Sequence, residues 1–519
     1  MTRAGAGRAH PRVAPPPAED GARPGQDDEG GAAPLELVRR LCEALAAEGI
    51  RYCHWKSTAA LDRAARGESD LDLLVARADA DRFEGILRAL GFKDARTPPD
   101  GPPGVFHAYG LDGPSGSLVQ LHVHYRLVVG DDTTKNHRLP IEDAYLGSSV
   151  RGPLFRVPDP AFEFVVLVLR MVLKHGTWDA IASGKGRLSP GERRELAFLT
   201  ARTDRGRVGD VVRTHLPFVG EELFERCHRS LRPGAGAWSR IRTARRLELA
   251  LAAHARRSPR LDPFVRLWRR GRVAARRRVA GRGRPPGRLA RGGAWIAVVG
   301  ADGAGKTTAV EELDAWLGRH LDVRRVHLGK PPRSVASLLA HGAWRGGVRR
   351  LGEPGAGDGP GGLRDGERIG PRALAKLVRK VMVSRDRALG YVRGARFVAR
   401  GGIVISDRFP IARIRSMDGP ATAALPRLRE GSAVVRALAR LEDRAYRRIG
   451  LPDVLVVLRV DPETAVERRR GIEPEDVVRR RAAEIAELDW EDLGAVVVDP
   501  TRPRDEVRAA IRSAVWARL

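Results

Sequence analysis

Trp295-Ile296-Ala297-Val298-Val299-Gly300-Ala301-Asp302-Gly303-Ala304-Gly305-Lys306-Thr307-Thr308 decides the fold of the second half of the chain. The apolar run before Gly300 is too short for a buried helix and reads as a buried strand. From Lys306 to Leu317 the pattern becomes helical. Between them, Gly300 to Thr307 fits G-x-x-x-x-G-K-[ST], and strand before plus helix after is the context that gives this pattern a mechanism. The glycines let the backbone bend so that successive N–H groups face an anion. The helix N-terminus adds its dipole and its unpaired donors. Gly300, Asp302, Gly303, Ala304, Gly305, Lys306, Thr307 and Thr308 are therefore expected to cradle the phosphates of ATP. Lys306 would reach the β- and γ-phosphates, and Thr307 would hold Mg²⁺.

Working outward, strand-like runs at 323–328, 403–406, 454–460 and 495–498 alternate with helical stretches at 373–400, 434–448 and 462–481. That alternation predicts an α/β fold with a parallel sheet covered on both faces. Ligands of such sheets sit outside the carboxyl ends of the strands.

On these residues the 294–519 unit resembles the thymidylate kinase branch of the P-loop kinases. Asp302 matches the acidic residue that branch places near the acceptor sugar, and Asp407-Arg408-Phe409 matches its Asp-Arg-aromatic motif. The resemblance implies that Asp407 serves Mg²⁺ or its waters and that Arg408 clamps an acceptor phosphate. Arg468, Arg469 and Arg470 resemble the start of the arginine-bearing lid, which would bring positive charge over the transferring group. Asp386-Arg387 falls where the family has a basic acceptor-binding residue, and 499–502 where it loops around adenine. The segment 410–420, Pro-Ile-Ala-Arg-Ile-Arg-Ser-Met-Asp-Gly-Pro, replaces the family's base-reading Ser-Ser-x-Ala-Tyr-Gln. The acceptor need not be dTMP. A Gly-rich stretch at 329–370 looks like an insertion.

The first half reads as an α+β unit with a helical region behind it. A helix is predicted over 35–48, strands at 50–55, 71–75 and 118–129, and further helices at 162–174 and within 191–257. Gly67-Glu68-Ser69-Asp70-Leu71-Asp72 leads into the short apolar strand. Residues i and i+2 share a strand face, so Asp70 and Asp72 can converge on one cation. This resembles the metal-binding strand of nucleotidyltransferase folds, with His54-Trp55-Lys56-Ser57 in place of that family's Gly-Ser turn. The third carboxylate expected there is replaced by Gln120, a poor Mg²⁺ ligand. His122 and His124 share a strand face and are read as packing or hydrogen-bonding residues.

Composition bounds the rest. The chain has 519 residues with 42% apolar content, enough for two or three domains with real cores. Cys42, Cys53 and Cys227 suit neither a disulfide framework nor a zinc site. Residues 1–34 read as a disordered arm without a signal-peptide core, and the longest apolar run, 162–173, is too short to span a bilayer. A cytoplasmic protein is expected. The formal charge of +29 reflects arginine abundance throughout, with a local excess at 256–291.

The division predicted is an arm at 1–34, a nucleotidyltransferase-like domain at 35–150, a helical region at 151–257, a basic linker at 258–293 and the ATP-binding unit at 294–519. The function expected is ATP- and Mg²⁺-dependent phosphorylation of a small-molecule acceptor. Nucleotidyl transfer in the first half is the alternative. A non-catalytic ATP-binding regulator that uses the basic stretch on nucleic acid or an anionic membrane surface ranks last. A homodimer is compatible with the sequence.

Overall fold

The computed structural model describes residues 33–56, 58–96, 104–280, 287–329, 331, 370–411, 414, 419–424 and 426–519. Residues 1–32 of the expected arm, Ser57, positions 281–286 and most of 329–370 and 412–418 lie outside the described residues.

In the second half, a five-stranded parallel sheet has the order Val323–His327, Ile403–Asp407, Ala294–Gly300, Val454–Leu458, Val496–Val498. Ala294–Gly300 is buried along its whole length, as a central parallel strand must be when both faces are covered. Trp295 locks it to its neighbours. The indole stacks on Tyr391 with centroids 4.9 Å apart and donates Nε1–H to Ser406 Oγ at 2.8 Å. The register sets both Val298 and His327 opposite Asp407, so neighbouring strands present their carboxyl ends together. Sequence analysis expected one mostly helical segment over 462–481. Two helices form instead, Pro462–Arg469 and Glu475–Glu487. Gly471 takes a left-handed φ of 75° between them, and Pro474 follows, so the helical ladder cannot continue.

The first half holds a six-stranded sheet in the order Tyr52–His54, Leu71–Val75, Leu118–His124, Val105–Leu111, Lys93–Arg96, Arg288–Leu289. Leu71–Val75 and Leu118–His124 are parallel to each other, and the remaining pairs are antiparallel. Alternation divides the residues between two cores. Leu71, Leu73 and Val75 pack with Leu37, Leu41 and Phe83. Leu74 turns the other way, into a core with Cys53, Trp55 and the helix Pro160–His175. That helix is buried on nearly every side and is capped by the Asp159 side chain, which accepts from Ala161 N. The strand expected over 118–129 stops at His124, and Val128–Val129 pairs separately with His137–Arg138. Strands Lys93–Arg96 and Val105–Leu111 were not anticipated.

The stretch expected to be a basic linker, 258–293, carries structure at both ends. Asp262–Ala280 is a helix, and Arg266 on it is almost wholly buried. Its guanidinium lies 3.2 Å from Asp179, 3.1 Å from Glu248 and 3.5 Å from Asp262. At the other end, Arg288–Leu289 closes the edge of the first sheet. Leu289 N also donates to Gly401 O at 2.9 Å, in the turn before the second sheet's strand Ile403–Asp407. Ala95, Tyr109 and Leu118 of the first sheet consequently share a core with Trp295 and Leu321 of the second half. The three cysteines are free and buried. Among the described residues no helix is long and apolar enough to cross a membrane.

Removing Arg266 would take from Asp179, Glu248 and Asp262 the buried cation they share, leaving each only a single arginine, Arg270 at 3.0 Å, Arg245 at 3.4 Å and Arg257 at 4.0 Å respectively. Arg266→Ala is expected to cost about 3–5 kcal/mol in urea unfolding of the full chain. A loss within 0.5 kcal/mol of zero would show that the buried cluster contributes nothing.

Candidate active sites

Two clusters of charged side chains stand at strand ends, one in each half. In the second half, Gly303 and Gly305 adopt φ near 90°, a conformation that any side chain would strain. They bring the loop into a tight curl from which helix Lys306–Leu317 departs. The Lys306 ammonium donates to Gly300 O at 2.9 Å and Ala301 O at 2.7 Å, and lies 3.5 Å from Asp302 Oδ1. Asp302 is 1% exposed and gathers further cations: Arg481 at 2.7 Å, Arg408 at 3.2 Å and Arg469 at 4.0 Å. Burial pushes its carboxyl up, but Lys306, Arg408 and Arg481 outweigh that and hold it below the usual range. Burial lowers the Lys306 ammonium, with Asp302 opposing. Arg408 reaches Asp302 from a left-handed backbone, φ 52°, unusual for a residue with a side chain.

The other residues singled out in the sequence take varied places around this cluster. Arg468 donates to Gly303 O at 3.4 Å. Arg470, Thr307 and Thr308 are exposed, and Ala304 is buried in the loop. Asp407 is hydrogen-bonded to His327, Oδ1 to Nδ1 2.6 Å. Arg387 is buried and donates to Leu328 O at 2.8 Å, tying its helix to the end of the strand Val323–His327. Asp499 accepts from Thr501 in an exposed turn. Sequence reasoning missed Arg481 and His327. Arg481 was hidden because the expected continuous helix gave it no reason to face the loop. His327 becomes visible only through strand register.

In the first half, Asp70 and Asp72 do share one face, and Asp72 is 8% exposed. The register sets Asp72 beside His122 and Leu74 beside His124. His122 Nδ1 lies 3.3 Å from Asp70 and 3.5 Å from Asp72, and His124 Nε2 lies 3.8 Å from Asp72. The cation against Asp72 is Lys56, whose ammonium sits 2.8 Å from Oδ1. Burial works against ionisation of Asp72, yet Lys56 and the two histidines hold its carboxyl well below the ordinary range. Lys56 and Arg170 both flank the Trp55 ring, at 5.4 and 5.9 Å. Gln120 is engaged by two imidazoles. Its Nε2 is 2.8 Å from His122 Nε2, and its Oε1 is 3.2 Å from His320 Nδ1. With a lysine on Asp72 and an amide in the third position, the donor set does not fit a two-metal centre. Among the described residues, no group of three His, Cys, Asp or Glu side chains is arranged to hold a metal ion.

Residues 31–182 match the sequence profile of a family described as "Uncharacterised nucleotidyltransferase". Residues 31–182 are nucleotidyltransferase-like. The chain is also 26% identical over 228 residues to the "Uncharacterized ATP-binding protein YghR" of Escherichia coli strain K12, covering 42% of this chain and 86% of that protein. The counterpart from Escherichia coli O6:H1 matches to the same extent.

Glu163, on the helix Pro160–His175, accepts from Thr58 N at 3.1 Å beside the first site. Burial pushes its carboxyl up from 4.5 to about 7. The folded state therefore holds this proton more tightly than the unfolded chain does. Stability from that preference is complete below pH 4.5 and is lost as pH rises through 7. Glu163→Gln is expected to gain on wild type between pH 5 and pH 8, by on the order of 3 kcal/mol. Urea midpoints at the two pH values measure it, and an unchanged gap would contradict it.

Proposed function

We propose that residues 294–519 form an ATP-dependent phosphotransferase similar to thymidylate kinase, acting on a nucleoside monophosphate or another small phosphorylated or hydroxylated acceptor. The observation that carries this reading is the convergence of Lys306, Arg408, Arg469 and Arg481 on Asp302 at the Gly300–Thr307 loop. Phosphoryl transfer spreads negative charge over the equatorial oxygens, and such a cluster supplies the complementary field. The name of the Escherichia coli relative, an ATP-binding protein, supports the donor.

The cavity bounded by Gly300, Lys306, Arg408 and Phe409 measures about 10 Å³, too small for a phosphate group. Nucleotide entry on this reading lifts the arginines from Asp302 and frees the Lys306 ammonium from the Gly300 and Ala301 carbonyls. Arg408 then binds the acceptor's phosphate, while Arg468, Arg469 and Arg481 cover the transferring group. The Thr307 hydroxyl and Asp407 carboxylate are hard oxygen donors that suit Mg²⁺, which supplies charge neutralisation between the phosphates when bound. His327 holds Asp407 in place from the neighbouring strand. Segment 410–420 lacks the thymine-reading residues of the family, so the acceptor is not tied to thymidine.

ATP-to-ADP turnover across nucleoside monophosphates and sugar phosphates is expected to require an acceptor. It should fall roughly 100-fold or more in Lys306→Ala. Acceptor-independent turnover, or equal turnover in the variant, would sink the reading. The profile match at 31–182 favours a second reading, nucleotidyl transfer in the first half. In that case Asp72→Ala abolishes product and Lys306→Ala leaves it intact.

A further inference from the structure

A run of polar contacts joins the two halves, and it passes through the acid pair. Helix Lys306–Leu317 starts at the phosphate loop, and the turn that ends it carries His320. The His320 ring packs on Tyr109 with centroids 5.7 Å apart, while its carbonyl accepts from Gly287 N at 2.9 Å. The ring and backbone are thus held separately. His320 Nδ1 lies 3.2 Å from Gln120 Oε1. An amide oxygen only accepts, so Nδ1 carries the proton. Gln120 Nε2 only donates, and it lies 2.8 Å from His122 Nε2. That nitrogen therefore accepts, which leaves Nδ1 as the ring nitrogen that carries the proton.

The consequence falls on the carboxylates. His122 Nδ1 is 3.3 Å from Asp70 Oδ2 and 3.5 Å from Asp72 Oδ1. One amide selects the tautomer in which the imidazole donates toward both acids. The His107 ring, edge-on at 4.5 Å, steadies the His122 plane from the neighbouring strand. A carboxylate at position 120 would accept from His122 Nε2–H and draw a second proton onto the ring, which the neutral amide does not. This gives a physical reason for glutamine where sequence analysis expected aspartate. It also gives His320 a role that neither half has alone.

We propose that His320 is a positioning residue of the first-half acid-pair site, acting through Gln120 on His122, so that the site is complete only when the phosphate-loop helix is docked on the six-stranded sheet. The proposal rests on the second reading above, in which Asp70 and Asp72 form a reaction centre. The helix itself is about 18 Å long. A displacement at its loop end is passed as a rigid-body shift to His320, which makes the pair of contacts a physical link between the two sites.

The test uses the full chain with ¹⁵N-labelled histidine imidazoles, the His122 signals being assigned through His122→Gln. In wild type, His122 is expected to show one protonated and one unprotonated nitrogen at well-separated shifts. In His320→Ala and in Gln120→Leu the two signals should converge as the tautomers exchange. His320→Gln, whose side-chain amide can still donate to Gln120, should restore the separation. Gln120→Glu matches glutamine in shape and guards against a variant that fails to fold. It should bring a proton to His122 Nε2 while Asp70 and Asp72 keep the one on Nδ1, so that both nitrogens read as protonated. His122 signals that stay unchanged in His320→Ala and Gln120→Glu overturn the proposal. The readout needs no turnover. If the imidazole responds but Asp70→Ala leaves every product unaffected, the relay stands and the reaction-centre reading is what fails.

Discussion

The pairing of Arg288–Leu289 with Lys93–Arg96 places one short piece of chain at the edge of the first sheet, and Ala294 begins the central strand of the second sheet a few residues later. So short a connection cannot let two sheets drift apart. Ala290 N bonds Asp94 O on one side and Gly293 N bonds Val398 O on the other, so the connection itself is paired along its length. Further contacts follow from this fixed spacing. Arg512 donates to Gly116 O, Trp516 donates to Gly91 O, and His320 meets Gln120. Each joins the last helix, or the helix Lys306–Leu317 and the turn after it, to the first sheet. The shared core of Ala95, Tyr109, Leu118, Leu289 and Leu321 seals the contact with apolar surface.

The two charged clusters solve the same electrostatic problem alike. A buried aspartate near a strand end, Asp302 or Asp72, is kept ionised by a nearby lysine, Lys306 or Lys56. Burial of either partner alone would be costly, and pairing offsets that cost. The pairs differ in what surrounds them. Around Asp302 the additional groups are guanidinium ions from three separate segments, so the cluster can hand several cations to a phosphate. Around Asp72 they are imidazoles, and the histidine nearest both acids is held by an amide. The first arrangement suits charge neutralisation and the second suits placement of a proton.

The same pairing explains where part of the positive charge goes. Arg266 and Arg270 look from composition like members of an exposed basic stretch. They are instead spent on Asp131, Asp179, Glu248 and Asp262 inside the protein. Net charge counts arginines without showing which of them face water.

The sequence by itself determined the buried strand before Gly300, the loop that follows it, the alternation that makes a parallel sheet, and the shared face of Asp70 and Asp72. Those features depend on residues close together in the chain, where periodicity and glycine placement carry the information. Tertiary structure alone decided which distant groups complete them. Arg481 reaches Asp302 because Gly471 and Pro474 break a helix and turn its second half back over the loop. His327 faces Asp407 through strand register, and Lys56 reaches Asp72 across an antiparallel pair. Strand Lys93–Arg96 is polar in sequence and becomes a strand because Arg288–Leu289 and Val105–Leu111 pair with it on both sides. His320 meets Gln120 across some 200 residues because two sheets are bolted together at Leu289. Such contacts arise from chain closure and packing, which no local pattern encodes.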